Sequence, residues 1–245
     1  MRILFGLVTC LMFGLAASNA AFSAWIYDAN SQFKDFELAN NGNNVAPAFS
    51  NFMVGTGTTL GDFTPFAPTL HTDNWISRPE VQGWTFINSQ SVPAVVVNTT
   101  NAPIGQVDPY QILMHPGGTS GKTGDAPISN AVLRFTASNA GIYSVIGDWK
   151  SLDIGSTINY VLKNGTAIFT DTSDATSNFN LTNISLANGD TIDFVVSSNG
   201  GIDYDTTGLR VTLTGVPEPT TLALFGLGGI GLAGIAKRRR TRKVA

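Results

Sequence analysis

Tyr160-Val161-Leu162-Lys163-Asn164-Gly165-Thr166-Ala167-Ile168-Phe169 is the run that decides the fold. Asn164 and Gly165 both tolerate positive φ, which a two-residue hairpin turn requires, and the flanking β-branched and aromatic residues suit a pleated surface. The run therefore predicts two paired strands, Thr157–Lys163 and Thr166–Asp171. Outward from it, Asn188-Gly189-Asp190 and Ser138-Asn139-Ala140-Gly141 mark further turns. The other expected strands are Gly83–Asn88, Ala94–Asn98, Gln111–Met114, Ala131–Thr136, Gly141–Trp149, Asn178–Leu186, Thr191–Ser197 and Leu209–Leu213. No stretch from Trp25 to Gly215 carries a capped helical period. About ten short strands in one body predict an all-β fold, a single two-sheet β-sandwich of jelly-roll-like form.

Composition agrees. The chain has 245 residues, 43% of them apolar, which is enough for one sizeable core. Charged residues make up 13%, about half the usual globular share. Asn, Thr, Ser and Gly take their place. The formal net charge of −3 hides an uneven distribution, because Arg2 and the cluster Lys237, Arg238, Arg239, Arg240, Arg242 and Lys243 lie at the two ends. The body between them has seven basic residues against sixteen acids, a formal charge near −9. Nucleic acid binding is thereby excluded, since it needs a basic footprint.

The single cysteine, Cys10, lies in the first apolar run, so the remainder of the chain has no disulfide, thiol nucleophile or Cys-ligated metal. Leu7-Val8-Thr9 before it loosely follows a lipoprotein acceptor pattern. Against that reading, Thr9 is large for its place and the apolar run continues past Cys10.

The two ends read as targeting segments. Met1-Arg2, an apolar run from Ile3 to Ala17 and the small residues Ser18-Asn19-Ala20 form a three-part secretory signal, with Ala-Phe-Ser-Ala at 21–24 offering a second cut. The alternative is a buried first helix. At the other end, Val216-Pro217-Glu218-Pro219 precedes a Gly-rich apolar stretch, Leu222 to Ala236, and then Lys237-Arg238-Arg239-Arg240. The prolines impose an extended segment that a processing enzyme can read. The apolar stretch is short for a membrane span, and the basic cluster would stay on the cytoplasmic side, leaving the body outside.

This tail resembles the PEP-CTERM sorting signal, in which a Pro-Glu-Pro motif, an apolar helix and an Arg cluster follow one another; an ordinary tail anchor is the alternative. The N-terminal signal implies the Sec translocon and signal peptidase as partners; the tail resemblance implies export, transient anchoring in the membrane, recognition by an exosortase-type enzyme near Glu218, and release or transfer to the cell surface. The expected organisation is a signal peptide over 1–24, the sandwich over 25–215 and the sorting and anchor segment over 216–245, so that a signal helix and a hydrophobic helix flank the sandwich.

The body also resembles a β-sandwich domain recurrent in PEP-CTERM and other secreted bacterial proteins. The matching stretches include His115-Pro116-Gly117, Ala131-Val132-Leu133-Arg134-Phe135-Thr136, Val161-Leu162-Lys163-Asn164-Gly165 and Tyr204-Asp205-Thr206-Thr207-Gly208-Leu209. Its general look is that of a carbohydrate-binding module.

Several apparent motifs do not survive inspection. Gly117-Gly118-Thr119-Ser120-Gly121-Lys122-Thr123 suggests a phosphate loop, but Pro116 stands where its first Gly belongs and no helix follows. Neither His71 nor His115 has a metal-like partner nearby in sequence, and no Ser-His-Asp set is readable. Asp203, Tyr204 and Asp205, with Asp190 and Asp193, could supply oxygen ligands for Ca2+, or could simply cap turns. Asp148 and Asp153 invite a paired-carboxylate reading that nothing in the spacing supports. Trp75, Trp84 and Trp149, with Tyr143 and Tyr204, are the sugar-stacking candidates; each Trp is equally at home in a sandwich core.

The expectation is a non-enzymatic exported protein of the cell surface, extracellular matrix or biofilm, with extracellular polysaccharide as its candidate partner and no catalytic or metal site. A secreted glycan hydrolase and a purely structural or adhesive matrix protein are the alternatives.

Overall fold

The computed structural model describes residues 23–40, 46–72, 75, 77–85, 92–118, 129–172, 175–200 and 203–217. The signal segment, Glu218, Pro219, the apolar tail and its Lys237–Arg240 cluster lie outside the described residues, as does most of the Gly117–Thr123 loop. Among the described residues no helix is long and apolar enough to cross a membrane.

In chain order the elements are β1 (Trp25–Asp28), α1 (Ala29–Asn40), β2 (Ala48–Phe49), β3 (Phe52–Gly57), β4 (Thr64–Pro65), β5 (His71–Thr72), β6 (Val81–Thr85), β7 (Ala94–Asn98), β8 (Ile112–His115), β9 (Asn130–Thr136), β10 (Gly141–Ser151), β11 (Thr157–Lys163), β12 (Thr166–Asp171), β13 (Ser177–Leu186), β14 (Thr191–Ser198) and β15 (Thr207–Pro217). They form two antiparallel sheets. One runs β13-β10-β15-β8-β7-β6-β5, with β1 also on β15; the other runs β12-β11-β14-β9-β3-β2, with β4 also on β3. The expected two-sheet sandwich is the fold observed.

The β11–β12 hairpin forms as its Asn-Gly pair dictates, with φ of 48° at Asn164 and 78° at Gly165. Alternation along β15 is equally plain: Leu209, Val211 and Leu213 are buried, whereas Arg210, Thr212 and Thr214 face outward. Between the sheets the inward faces of β9, β10, β14 and β15 bury Leu133, Phe135, Tyr143, Trp149, Phe194 and Leu213. Such aromatic side chains each remove about 150–250 Å² from water and dominate the core energetics.

The strands β1 to β5 are additional to those expected, and two other elements depart from the sequence reading. The segment after β1 is a helix rather than loop. Its apolar face is thin, with Ala29 and Phe33 buried beside Asn30 and Glu37, so the period is weak in the sequence. What starts it is Asp28, whose carboxylate accepts from Ser31 N–H at 3.1 Å, an N-cap. What holds it is tertiary: Asn30 accepts from Val211 N–H and donates to the Leu209 carbonyl, and His71 Nε2 lies 2.6 Å from the fully buried Glu37 Oε2. The second departure is at the C-terminus. β15 continues to Pro217, so Val216 and Pro217 of the sorting motif are paired with Ile142 and Gly141 of β10. The end of the sandwich therefore falls inside the motif rather than before it.

Strand β15 also orients the molecule. Its first residues meet β8 (Thr207 opposite Met114) and its last meet β1 (Gly215 opposite Trp25), while β10 runs beside its whole length. One end of the sandwich thus carries the β10–β11 and β14–β15 loops, and is called the rim. The other carries Trp25 with Val216 and Pro217 of the sorting motif, and is called the tail end.

Candidate functional site

Two loops build the rim. Leu152 N–H donates to the Thr206 carbonyl (3.0 Å) and Gly155 N–H to the Tyr204 carbonyl (2.8 Å), joining the loop after β10 to the loop before β15. Thr206 N–H donates to both oxygens of Asp153, at 3.2 and 3.1 Å. Gly155 is required here, because a Cβ would strike the Tyr204 carbonyl and Asp205 Oδ1. Below the loops, Thr157 and Thr207 hydroxyls meet at 2.9 Å and tie the two sheets together.

This framework displays two apolar side chains to solvent. Ile154 is 89% exposed and Tyr204 is 63% exposed. Tyr204 also sits at φ 65°, in left-handed backbone that a tyrosine adopts only when its surroundings compel it. Asp203, also exposed, precedes it.

Beneath them the rim gathers titratable groups. Asp205 is 3% exposed, and its Oδ2 has no hydrogen-bond partner. Burial, reinforced by the charges of Asp153 and Asp203, pushes its carboxyl up to about 7. His115, at the end of β8, donates from Nδ1 to the Pro116 carbonyl at 2.7 Å. Burial holds its imidazole below the ordinary value, although that carbonyl and the Asp153 and Asp203 charges pull the other way. Burial thus favours the uncharged form of both His115 and Asp205.

The candidates read from sequence divide sharply. Asp203, Tyr204 and Asp205 come together at the rim, joined by Asp153, Ile154 and His115 through contacts distant in sequence. Trp84 and Trp149 are both fully buried in the main core, Trp84 against Phe33 and Trp149 against Phe179 and Phe194. They cannot stack on a sugar outside the sandwich. Trp75 is 3% exposed, in a second cluster with Val81, Val96, Leu113 and Leu152, its ring edge-on to His115 at 6.4 Å. It supports the rim from below without reaching solvent.

The acids considered for Ca2+ do not converge. Asp190 accepts from Ala187 N–H in the β13–β14 turn, and Asp193 is paired with Arg134 on the outer face of the second sheet. Asp190 and Asp203 bracket β14, eight residues or roughly 26 Å long. Among the described residues no group of three or more His, Cys, Asp or Glu is arranged to hold a metal ion. Asp148 and Asp153 are likewise occupied separately, Asp148 by Arg210 at 3.3 Å and Asp153 by Thr206.

Comparison with known proteins adds one firm finding. Residues 215–240 match the PEP-CTERM protein-sorting motif, and the chain therefore carries that sorting signal. No curated protein matches the chain in sequence. Solved structures resembling it include rabbit GITRL, at 17% identity and TM-score 0.28 over 35% of this chain and 73% of that one. Another is the CBM36-1 domain of a multidomain xylanase from the hindgut metagenome of Trinervitermes trinervoides, at 12% identity and TM-score 0.31 over 44% and 79%. A third is the M60 catalytic domain with the CBM51-1 and CBM51-2 domains of Clostridium perfringens ZmpB, at 14% identity and TM-score 0.34 over 66% and 14%. Likenesses this distant bear on neither ligand nor activity.

Proposed function

We propose that this is an exported, non-enzymatic surface protein, cut from a transient C-terminal membrane anchor by an exosortase-type enzyme, which binds extracellular polysaccharide at its rim. The observation that carries the binding reading is the display of Tyr204 and Ile154 beside Asp203. A pyranose ring offers an apolar C–H face and a periphery of hydroxyls. An aromatic face flanked by an aliphatic side chain and carboxylates is complementary to both. The strained backbone that presents Tyr204 supports the same reading, since strain of this kind gathers at functional sites.

Affinity electrophoresis of the secreted protein against the producing strain's exopolysaccharide and a set of neutral and charged glycans tests it. Retardation by at least one polysaccharide is expected, and Tyr204→Ala should weaken it about tenfold, a loss of about 1.4 kcal/mol. Retardation equal in wild type and Tyr204→Ala would remove the rim from the binding account. No retardation at all would leave a structural matrix role.

The sorting reading has its own test. Replacing Pro217, Glu218 and Pro219 together by alanine should leave export intact and trap the uncut form in the membrane fraction, as an immunoblot would display. Normal processing of that variant would refute it.

A second reading, a secreted glycan hydrolase, is favoured by one feature. Asp205 is a carboxyl raised towards neutrality beside two other carboxylates, the pattern of a general acid with a charged partner. Its burial and the engagement of both Asp153 oxygens weigh against this. Release of reducing sugar from the polysaccharide that binds, abolished in Asp205→Asn, would establish the hydrolase.

A further inference from the structure

The tail end brings Trp25, the first residue of β1, against the start of the sorting motif. Trp25, five residues beyond Ala20, pairs with Gly215, the residue just before Val216. Its indole lies across two glycines on neighbouring strands. A Cβ on Gly215 would come within 2.9 Å of the Trp25 ring and 2.6 Å of the Tyr143 ring; one on Gly141 would meet Trp25 at 3.1 Å and also collide with the Val216 carbonyl. Trp25 and Tyr143 rings are 6.2 Å apart, and the Tyr143 hydroxyl donates to the Asn139 carbonyl at 2.8 Å. The indole thus closes this end of the core and holds β15 and β10 together where Val216 and Pro217 are paired.

A protease takes its substrate as an isolated extended segment. Here the first half of the motif, Val216 and Pro217, is already committed to a sheet, opposite Ile142 and Gly141. We infer that Trp25 is a positioning residue for sorting: by clamping the end of β15 it keeps Val216 and Pro217 in the sheet, so that the sorting enzyme must await their local fraying before it can engage the whole motif. Fraying of a strand end is a low-energy opening whose population depends on the few contacts holding it. Trp25 supplies the largest side chain among those contacts. The inference rests on the sorting reading above.

Pulse-chase of the full-length precursor in the exporting host, following conversion of uncut to cut form by immunoblot, reads the rate directly. Trp25→Ala should accelerate conversion about fivefold or more. Because that change could also unfold the body, a second precursor carries Gly-Ser-Gly-Ser inserted between Gly215 and Val216, which leaves Trp25 and the sandwich intact and moves the whole motif clear of the sheet. It too should be cut faster than wild type. Wild-type rates for the insertion precursor would overturn the clamp, whatever Trp25→Ala does. The alanine-substituted motif is the control that separates the two ideas. If it stays uncut while the insertion changes nothing, the clamp fails and sorting stands; if it is cut normally, the sorting reading itself has failed.

Discussion

Arg134→Ala is expected to cost about 3–5 kcal/mol of folding stability, because it strands a buried charge. Arg134 on β9 faces Asp193 on β14 in register, with Nε to Oδ1 at 2.6 Å and Nη2 to Oδ2 at 2.7 Å. The Asp193 side chain is only 1% exposed, and the Phe63 ring covers the guanidinium at 4.2 Å. The carboxylate thus has almost no contact with water while its partner is in place. Paired, the two charges offset one another's desolvation; unpaired, Asp193 bears it alone. Replacing both members, Arg134→Met with Asp193→Leu, should recover most of the loss, since an apolar pair of similar volume is often no worse than a buried ion pair. Urea denaturation of the mature protein at pH 7 measures both variants. A loss below about 1 kcal/mol for Arg134→Ala would show that the pair behaves as a surface bridge.

Asp205→Asn should do the opposite and stabilise the protein, with a dependence on pH that identifies the cause. In the folded protein this carboxyl titrates at about 7, against 3.8 for its ordinary value. The folded state therefore binds the proton more tightly than the unfolded chain, and stability contributed by the proton is complete below about pH 4. As pH rises from there the unfolded chain ionises while the folded protein does not, so stability falls until pH passes about 7. The expected total is at most about 4 kcal/mol, less whatever solvent screening removes. Asparagine cannot ionise, so the variant should lack this slope and exceed wild type at pH 7.5 while differing little at pH 4. Parallel stability profiles for the two proteins would mean that Asp205 is solvated after all.

How much of this was legible in the sequence depends on the range of the interactions concerned. The β11–β12 hairpin was readable because Asn164-Gly165 acts locally, and most central strands were readable from alternation over five to ten residues. The helix α1 was not, because its buried face includes Asn30 and Glu37, whose partners Val211, Leu209 and His71 lie far along the chain. The rim divides in the same way. Asp203, Tyr204 and Asp205 were visible as neighbours in sequence, whereas Asp153, Ile154 and His115 join them only through the pairing of β15 with β10 and β8. Of the aromatic residues proposed for stacking, the three tryptophans face inward or beneath a loop, and residue type alone could not distinguish them from Tyr204. What could have flagged Tyr204 was its neighbours: an aromatic residue between two aspartates in a loop has little apolar material with which to pack.

The position of β15 has an electrostatic consequence. Strand β15 has eleven residues, which sets Thr207 at the rim roughly 33 Å from Pro217 at the tail end. With β15 upright in the anchored intermediate proposed above, Pro217 would be the membrane-proximal end and the rim the distal one. The field of anionic headgroups decays over about 8–10 Å at physiological ionic strength. In that pose the rim would stand about three decay lengths from the lipid charge, and it should bind alike before and after the protein is released.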